Sequence, residues 1–414
     1  MTNSQASISL VSGIFALTYF CLALGEIPGL RIDRAGIALV GAAAMLASGV
    51  VSMHDAARAV DYETIVLLFG MMVVVSYLRL AGFFTLATDR IAARFSGPHS
   101  LLAAIIIISG VLSAFLVNDV VCVALTPLVL HLCQRLKRPP IPYLIGLATA
   151  SNIGSVATIT GNPQNIIIGS LSRISYLRFA CRLAPIALVG LVVDFIVVAL
   201  VYRRTLSHAG RKPSPVYRAS RARIHRPLLL KSIAVTLATV GLFFAGQPIA
   251  LVALVAAGVL LLGRVRPEKV FRSVDWPLLV MFAGLFVVVN AFEVNVVQTW
   301  GIDRWDGLLK SPVVLVSTLS VFLSNLVSNV PAVLLFKPLM EVMPRKELAW
   351  LALSMSSTLA GNLTILGSVA NLIVVENARR AGTELSFVEY LKVGVPLTIL
   401  TTLIGVAWLA LSRY

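Results

Sequence analysis

The chain has 414 residues, of which 58% are hydrophobic and 13% charged, with a mean hydropathy of +0.93 and a formal net charge of +16. A soluble domain carries about a quarter charged residues, so this composition excludes a soluble globule, a disordered chain and a disulfide scaffold. Apolar runs near 20 residues recur throughout, each long enough to cross a bilayer core of about 30 Å at 1.5 Å per residue, and they lack the alternation of a β-barrel.

In chain order, full spans are expected at 9–25, 35–52, 64–82, 141–172, 183–202, 228–246, 249–263, 277–296, 349–376 and 390–411. Two further apolar stretches, 101–134 and 312–341, each carry a polar interruption near the middle. No charged side chain precedes the first span, so the basic region of a cleavable signal peptide is missing. Cys21, Cys122, Cys133 and Cys181 show no CxxC spacing and read as small core-like residues.

The first interrupted stretch contains Val117-Asn118-Asp119 and the second Ser328-Asn329-Val330; each Asn is followed nine residues later by Pro. Both read as helical hairpins that dip into the membrane and turn at Asn. Asp119 has Val330 as its counterpart, so the carboxylate breaks the symmetry. A carboxylate at membrane depth is costly and marks function by default, as a Na⁺ ligand beside Asn118 or as a proton carrier; a helix cap is the structural alternative.

The span at 141–172 contains Ser151, Asn152, Ser155, Thr158, Gly161, Asn162 and Asn165, with Pro163 between the last two. Pro163 has no amide hydrogen and disfavours helical geometry at Asn162, and Gly161 tolerates unusual dihedrals, so a broken helix is expected. The span at 349–376 repeats the pattern with Gly361, Asn362, Thr364, Gly367 and Asn371 but without Pro, so a milder break is expected there. Such breaks survive in a membrane only under protein or against a wet cavity, and they free amides and carbonyls that bind solutes.

Other intramembrane ionisable groups are weaker signals. Asp194 lies mid-span, to pair with a neighbouring helix or to relay protons. Glu293 nears the outer end of its span, and Lys337 is able to snorkel outward. Cys122, one turn past Asp119, raises thiolate binding of a soft metalloid, with a plain core residue as the alternative.

Taken in order, the loops place 24 of the 34 Lys and Arg on one side, which the positive-inside rule makes cytoplasmic; both termini then face outward. The basic charge is thus topogenic rather than a nucleic-acid footprint. Arg203 to Lys231 holds nine basic residues and no acidic one, a cytoplasmic linker with anionic lipid headgroups as a further partner. It divides a first repeat (1–202) from a second (228–414), with the linker proper at 203–227.

The halves match at Ile37-Ala38-Leu39-Val40 with Ile249-Ala250-Leu251-Val252, Asp61-Tyr62 with Asp275-Trp276, and Gly70 with Gly284. At a constant offset of 206, Ser151, Thr158, Gly161 and Asn165 pair with Ser357, Thr364, Gly367 and Asn371. Five spans per half invert the second repeat, the architecture of secondary transporters. The fold expected is an all-α polytopic membrane protein: two inverted-topology repeats, about ten transmembrane helices, two re-entrant hairpins and two broken helices.

These motifs resemble the ion transporter superfamily over roughly residues 35–411. That superfamily includes divalent anion:sodium symporters, citrate-type carriers, NhaD-type sodium/proton antiporters and arsenical pump membrane proteins. Asn118 and Asn329 match the Ser-Asn-Thr tips of the dicarboxylate branch, but the tips here read Val117-Asn118-Asp119 and Ser328-Asn329-Val330. Asn118-Asp119 and the Gly361–Asn371 segment look more like the arsenical pump and NhaD-type branch. The resemblance implies an elevator motion, Na⁺ or H⁺ as coupling ion, no other cofactor, a homodimer, an energising ATPase in the arsenical pump case, and a cell inner membrane location.

The function expected is a secondary transporter of a small oxyanion or metalloid, with arsenite or antimonite efflux favoured. Arsenite is mostly uncharged at neutral pH, and no Arg or Lys lies in either broken segment. Sodium/proton antiport, di- or tricarboxylate symport and a passive channel are the alternatives. An enzyme is not expected, since HExxH and GxSxG are absent.

Overall fold

The computed structural model describes residues 3–24, 32–95, 97–207, 224–297 and 312–411. Among these residues there are twenty α-helices and no strand. The first half runs α1 (Asn3–Leu24), α2 (Arg34–Ala47), α3 (Met53–Ala59), α4 (Tyr62–Leu80), α5 (Phe83–Arg94), α6 (Pro98–Phe115), α7 (Asn118–Arg135), α8 (Ile141–Ser155), α9 (Pro163–Ser172) and α10 (Tyr176–Val201). After α11 (Arg203–Ser207), most of the expected linker, 208–223, lies outside the described residues. The second half runs α12 (Arg226–Phe244), α13 (Ile249–Leu261), α14 (Pro267–Phe271), α15 (Trp276–Asn295), α16 (Pro312–Val327), α17 (Asn329–Val342), α18 (Lys346–Ala360), α19 (Val369–Arg380) and α20 (Phe387–Leu411).

Local chemistry sets many of the boundaries. Asp33, Ser52, Asp61, Ser175 and Asp275 cap helix N-termini by accepting backbone amides. The matched pair Asp61 and Asp275 is therefore a pair of caps. Pro98, Pro163 and Pro267 stand at first helical positions, where the missing N–H costs nothing.

Among the described residues, six helices are long and apolar enough to cross a membrane: α4, α6, α10, α12, α15 and α20. The spans expected at 35–52 and 249–263 are shorter. α2 has 14 residues and α13 has 13, roughly 20 Å each. Gly49, with φ +71°, follows α2 and turns the chain into α3.

The halves interlock. α2 packs on α15 of the other half, and α13 packs on α4. A Cβ at Gly70 would lie 2.7 Å from the Ala253 backbone, and one at Gly284 would lie 2.7 Å from the Ala38 backbone. Equivalent crossings thus put Ala38 and Ala253 in the same role. This corrects the alignment of 37–40 with 249–252 by three residues. Apolar stretches without polar landmarks slide easily against one another in sequence, whereas a backbone crossing fixes the register.

The interrupted stretches are helical hairpins, α6–α7 and α16–α17. α6 lies along α8, and α16 along α18. α10 and α20 pack against each other, on α8 and α18 respectively. Lys337 does not snorkel freely: its Nζ donates to Glu293 Oε2 at 2.7 Å, with side-chain exposures of 26% and 12%. This ion pair fastens hairpin helix α17 to α15.

Candidate functional site

Both broken spans unwind in the same way. α8 ends at Ser155, a 3₁₀ turn covers Ile159–Gly161, and α9 restarts at Pro163. α18 ends at Ala360, a 3₁₀ turn covers Ile365–Gly367, and α19 restarts at Val369. Thr158 and Thr364 share extended geometry, with φ, ψ of −140°, 164° and −135°, 164°. The second break is therefore not milder than the first. Proline is present in the first break alone, whereas both carry a bracing asparagine.

Asn165 Nδ2 donates to the Ser155 carbonyl at 2.9 Å and to the Thr158 carbonyl at 3.1 Å. Asn371 Nδ2 makes the equivalent bonds to Gly361 O at 2.7 Å and Thr364 O at 3.1 Å. Each asparagine thus satisfies carbonyls released by the break, which would otherwise be costly at this depth. Gly161 is required by close approach: a Cβ there would sit 2.2 Å from the Ser155 carbonyl oxygen. Gly367 faces Asn325 Oδ1 and the Gly361 carbonyl instead. Thr158 Oγ1 donates to the Ala114 carbonyl of α6, tying the first break to its hairpin.

The two breaks meet through side-chain amides. Asn152 Nδ2 donates to Asn362 Oδ1 at 2.8 Å and to Asn371 Oδ1 at 3.1 Å. Asn152 Oδ1 accepts from Asn118 Nδ2 at 2.9 Å and from Ser368 Oγ at 2.9 Å. Asn162 Nδ2 donates to Ser155 Oγ at 2.8 Å and to Thr358 Oγ1 at 3.1 Å, while its Oδ1 caps α9 at the Asn165 amide. Ser354 Oγ donates to Asn165 Oδ1 at 2.7 Å. With its amide turned to satisfy both ends, Asn329 donates to Ser357 O and Gly367 O and accepts from Gln164 Nε2 at 3.3 Å.

A cavity of about 900 Å³ lies against this network. Of the residues expected from sequence, Asn118, Asp119, Ser328 and Asn329 line it. Ser151, Asn152, Ser155, Asn162, Asn165, Asn362 and Asn371 are buried behind it as its hydrogen-bonded backing. Thr158, Gly161, Thr364 and Gly367 shape the breaks and are not lining residues.

Sequence reasoning missed Gln164, Asn325 and Ser368, which also line the cavity, together with Asp33, Arg34 and Asp275 from the starts of α2 and α15. Offset matching pairs Asn162 with Ser368 and so could have found the latter. Arg34 gave no signal as a site residue, because only the tertiary crossing of α2 with α15 brings it in.

Asp119 faces the cavity and lies close enough to the first turn of α19 to interact electrostatically with the Ala370 amide there. A carboxylate there offsets the partial positive charge of that helix end. Asp275 is its electrostatic neighbour. Val330 at the equivalent place has no such group, so the site is chemically polarised although its backbone is duplicated. Ser328 adopts φ +77°, a left-handed conformation rare outside glycine, so the second hairpin turns on a strained residue. Cys122 is buried with its Sγ 3.1 Å from Ser151 Oγ and does not line the cavity. Among the described residues no group of three or more His, Cys, Asp or Glu is placed to hold a metal ion.

Known proteins resemble this chain in sequence and in fold. The model of the citrate transporter family, CitMHS, matches residues 19–356. A silicon efflux transporter, LSI3, of Oryza sativa subsp. japonica is 30% identical over 97% of this chain and 98% of its own length. An uncharacterized transporter of Mycobacterium tuberculosis is 30% identical over 97% of this chain and 99% of its own. A transporter named arsB in Dictyostelium discoideum is 26% identical over 91% of this chain and 87% of its own. The crystal structure of the Alcanivorax borkumensis YdaH transporter superposes with a TM-score of 0.59 at 18% identity, covering 99% of this chain and 97% of that one, which shows the shared fold. The chain is thus a multi-pass membrane transporter and belongs to the CitMHS citrate transporter family.

Proposed function

We propose that this transporter moves a small hydroxylated oxyanion or metalloid acid, with arsenite or antimonite efflux as the favoured case, driven by a proton or sodium gradient. The observation that carries the reading is the lining of the cavity. Asn118, Gln164, Asn325, Ser328, Asn329 and Ser368 supply neutral donors and acceptors, and the charged lining residues are one arginine and three aspartates. An uncharged trihydroxide is recognised by such groups without a cationic clamp. A multiply charged anion would face Asp33, Asp119 and Asp275 with only Arg34 in support.

The relatives named for silicon efflux and arsB support the same chemistry, since each name points to a hydroxylated acid or its element. Asp119 is the coupling group of the reading: it touches the cavity beside the first turn of α19, so binding of a cation or proton there would change the field at that helix end. The distribution of Lys and Arg supports a cavity that opens on the cytoplasmic side, where α2 and α15 begin, and the reading takes the cell inner membrane as its location. The hairpins and broken helices would then slide against α1, α2, α4, α13 and α15.

A second reading is a carboxylate anion. Arg34 in the cavity and the family match favour it. Purified protein in liposomes separates the two. Under imposed pH and Na⁺ gradients, arsenite, antimonite, silicic acid, succinate and citrate are each tested for gradient-dependent flux. Flux of the hydroxo acids without the carboxylates supports the first reading; the reverse removes it. A Na⁺-driven pH change with none of these solutes would assign a sodium/proton antiporter instead.

A further inference from the structure

Asp194 takes no part in the cavity. It stands in the middle of α10, fully buried, with α8 and α20 packed on that helix. Its Oδ1 lies 2.8 Å from Thr149 Oγ1, and its Oδ2 meets no donor among the described residues. The titratable group facing it is Tyr390 of α20, whose buried hydroxyl also interacts electrostatically with Cys122 of α7. The charged residues on the other packed elements are His99 on α6, Arg203 and Arg204 on α11, Arg226 and Lys231 on α12, Lys346 and Glu347 on α18, and Glu389 and Lys392 on α20. None of them forms an ion pair with Asp194.

A proton count discriminates its two states. Thr149 Oγ1 lies 2.8 Å from the Ile145 carbonyl as well as 2.8 Å from Asp194 Oδ1. A hydroxyl has one hydrogen to donate. With Asp194 ionised both neighbours are acceptors, and one of the two contacts sets oxygen lone pairs against each other. With a proton on Oδ1, the acid donates to Thr149 Oγ1 and Thr149 donates to Ile145, so both contacts are satisfied. Loss of that proton forces the hydroxyl hydrogen away from Ile145 and onto the carboxylate.

The same residue leads to the cavity. The Thr149 carbonyl accepts Asn362 Nδ2 at 3.2 Å, Asn362 Oδ1 accepts Asn152 Nδ2 at 2.8 Å, and Asn152 Oδ1 accepts Asn118 Nδ2 at 2.9 Å.

We propose that Asp194 is a second proton-binding site, separate from Asp119, whose loading is relayed through Thr149, Asn362 and Asn152 to the hairpin tip. The step is a simple protonation. The carboxylate Oδ1 gains one proton to form O–H and later returns it, with no redox partner. The inference rests on the reading of the chain as a gradient-driven carrier.

The test uses the full chain in liposomes, with two separate readouts. Infrared difference spectra between acidic and alkaline buffer report the C=O stretch of protonated carboxylic acids without any transport substrate. We expect a band in the wild type that Asp119→Asn keeps and Asp194→Asn loses. Thr149→Val should displace that band and Thr149→Ser should restore it. Equal bands in wild type and Asp194→Asn overturn the proposal, and an unshifted band in Thr149→Val removes the relay.

The second readout is arsenite flux. Asp194→Asn should keep arsenite exchange at equal pH and lose at least tenfold of the acceleration by a pH gradient. Full acceleration in that variant overturns a coupling role for Asp194. Absence of arsenite exchange in the wild type would remove the substrate reading, while the infrared band still decides whether Asp194 binds a proton.

Discussion

Asn371→Ala isolates the bracing of the second break. The substitution removes two donations from Nδ2, to Gly361 O at 2.7 Å and to Thr364 O at 3.1 Å. It also removes the acceptor that Asn152 reaches at 3.1 Å, but Asn152 keeps Asn362 at 2.8 Å. Thr364 O keeps the Gly367 amide at 3.2 Å, so it loses one bond of two, about 0.5–1.5 kcal/mol. Gly361 O has no other donor among the described residues, and a buried orphan acceptor costs about 1–3 kcal/mol. The sum is roughly 3 kcal/mol of local stability, or about a hundredfold in the opening equilibrium. Hydrogen–deuterium exchange of the protein in lipid nanodiscs reads this directly. Amides of Asn362, Leu363 and Gly367, now bonded within the turn, should exchange about 10² times faster. Amides of 156–162 in the unaltered break should change far less. Protection at 362–367 unchanged from wild type would refute the idea that this side chain, rather than local sequence, holds the break open.

Asp119→Asn should abolish gradient-driven flux while inserting normally in the membrane; wild-type flux in vesicles would remove Asp119 from coupling. Gly70→Leu should destabilise by about 3 kcal/mol, because its Cβ meets the unyielding Ala253 backbone. Gly258→Ala, where a Cβ meets nothing within 4 Å, should not; thermal unfolding in detergent compares them. Lys337→Met or Glu293→Gln should each cost about 1–3 kcal/mol, since each leaves a mostly buried charge without its partner. A double-mutant cycle with no coupling energy would mean the pair does not fasten α17 to α15.

The fold was legible where polar chemistry interrupted an apolar pattern. Gly161, Asn162 and Pro163 marked the first break, and the recurrence of Thr, Gly and Asn at one offset marked the second. The same offset pairs Asn165 with Asn371, whose side chains brace equivalent carbonyls. The equal depth of the second break was not legible, because Pro163 marks only the first break, whereas the asparagine brace common to both shows only in the hydrogen bonds.

Polarity in an apolar segment announces a need for partners without saying which. Asn152 and Asn362 therefore read as solute-facing, although their amides bond each other behind the cavity. In the sequence Arg34 is one basic loop residue and Asp275 one half of the Asp61/Asp275 match, and only the interlocking of α2 with α15 brings them to the site. The register of 37–40 against 249–252 failed for a related reason: Ile, Ala, Leu and Val carry little positional information until a glycine crossing pins them.

On the proposed function, the cavity between Asn118 and Asn329 holds the transported hydroxo acid. Antimony scatters X-rays anomalously and antimonite is a favoured substrate, so crystals grown with antimonite would locate it. An anomalous peak is expected between the two hairpin tips, within reach of Asn118 and Asn329, and should disappear in Asn329→Leu. A protein that carries antimonite yet shows its peak outside this cavity would contradict it.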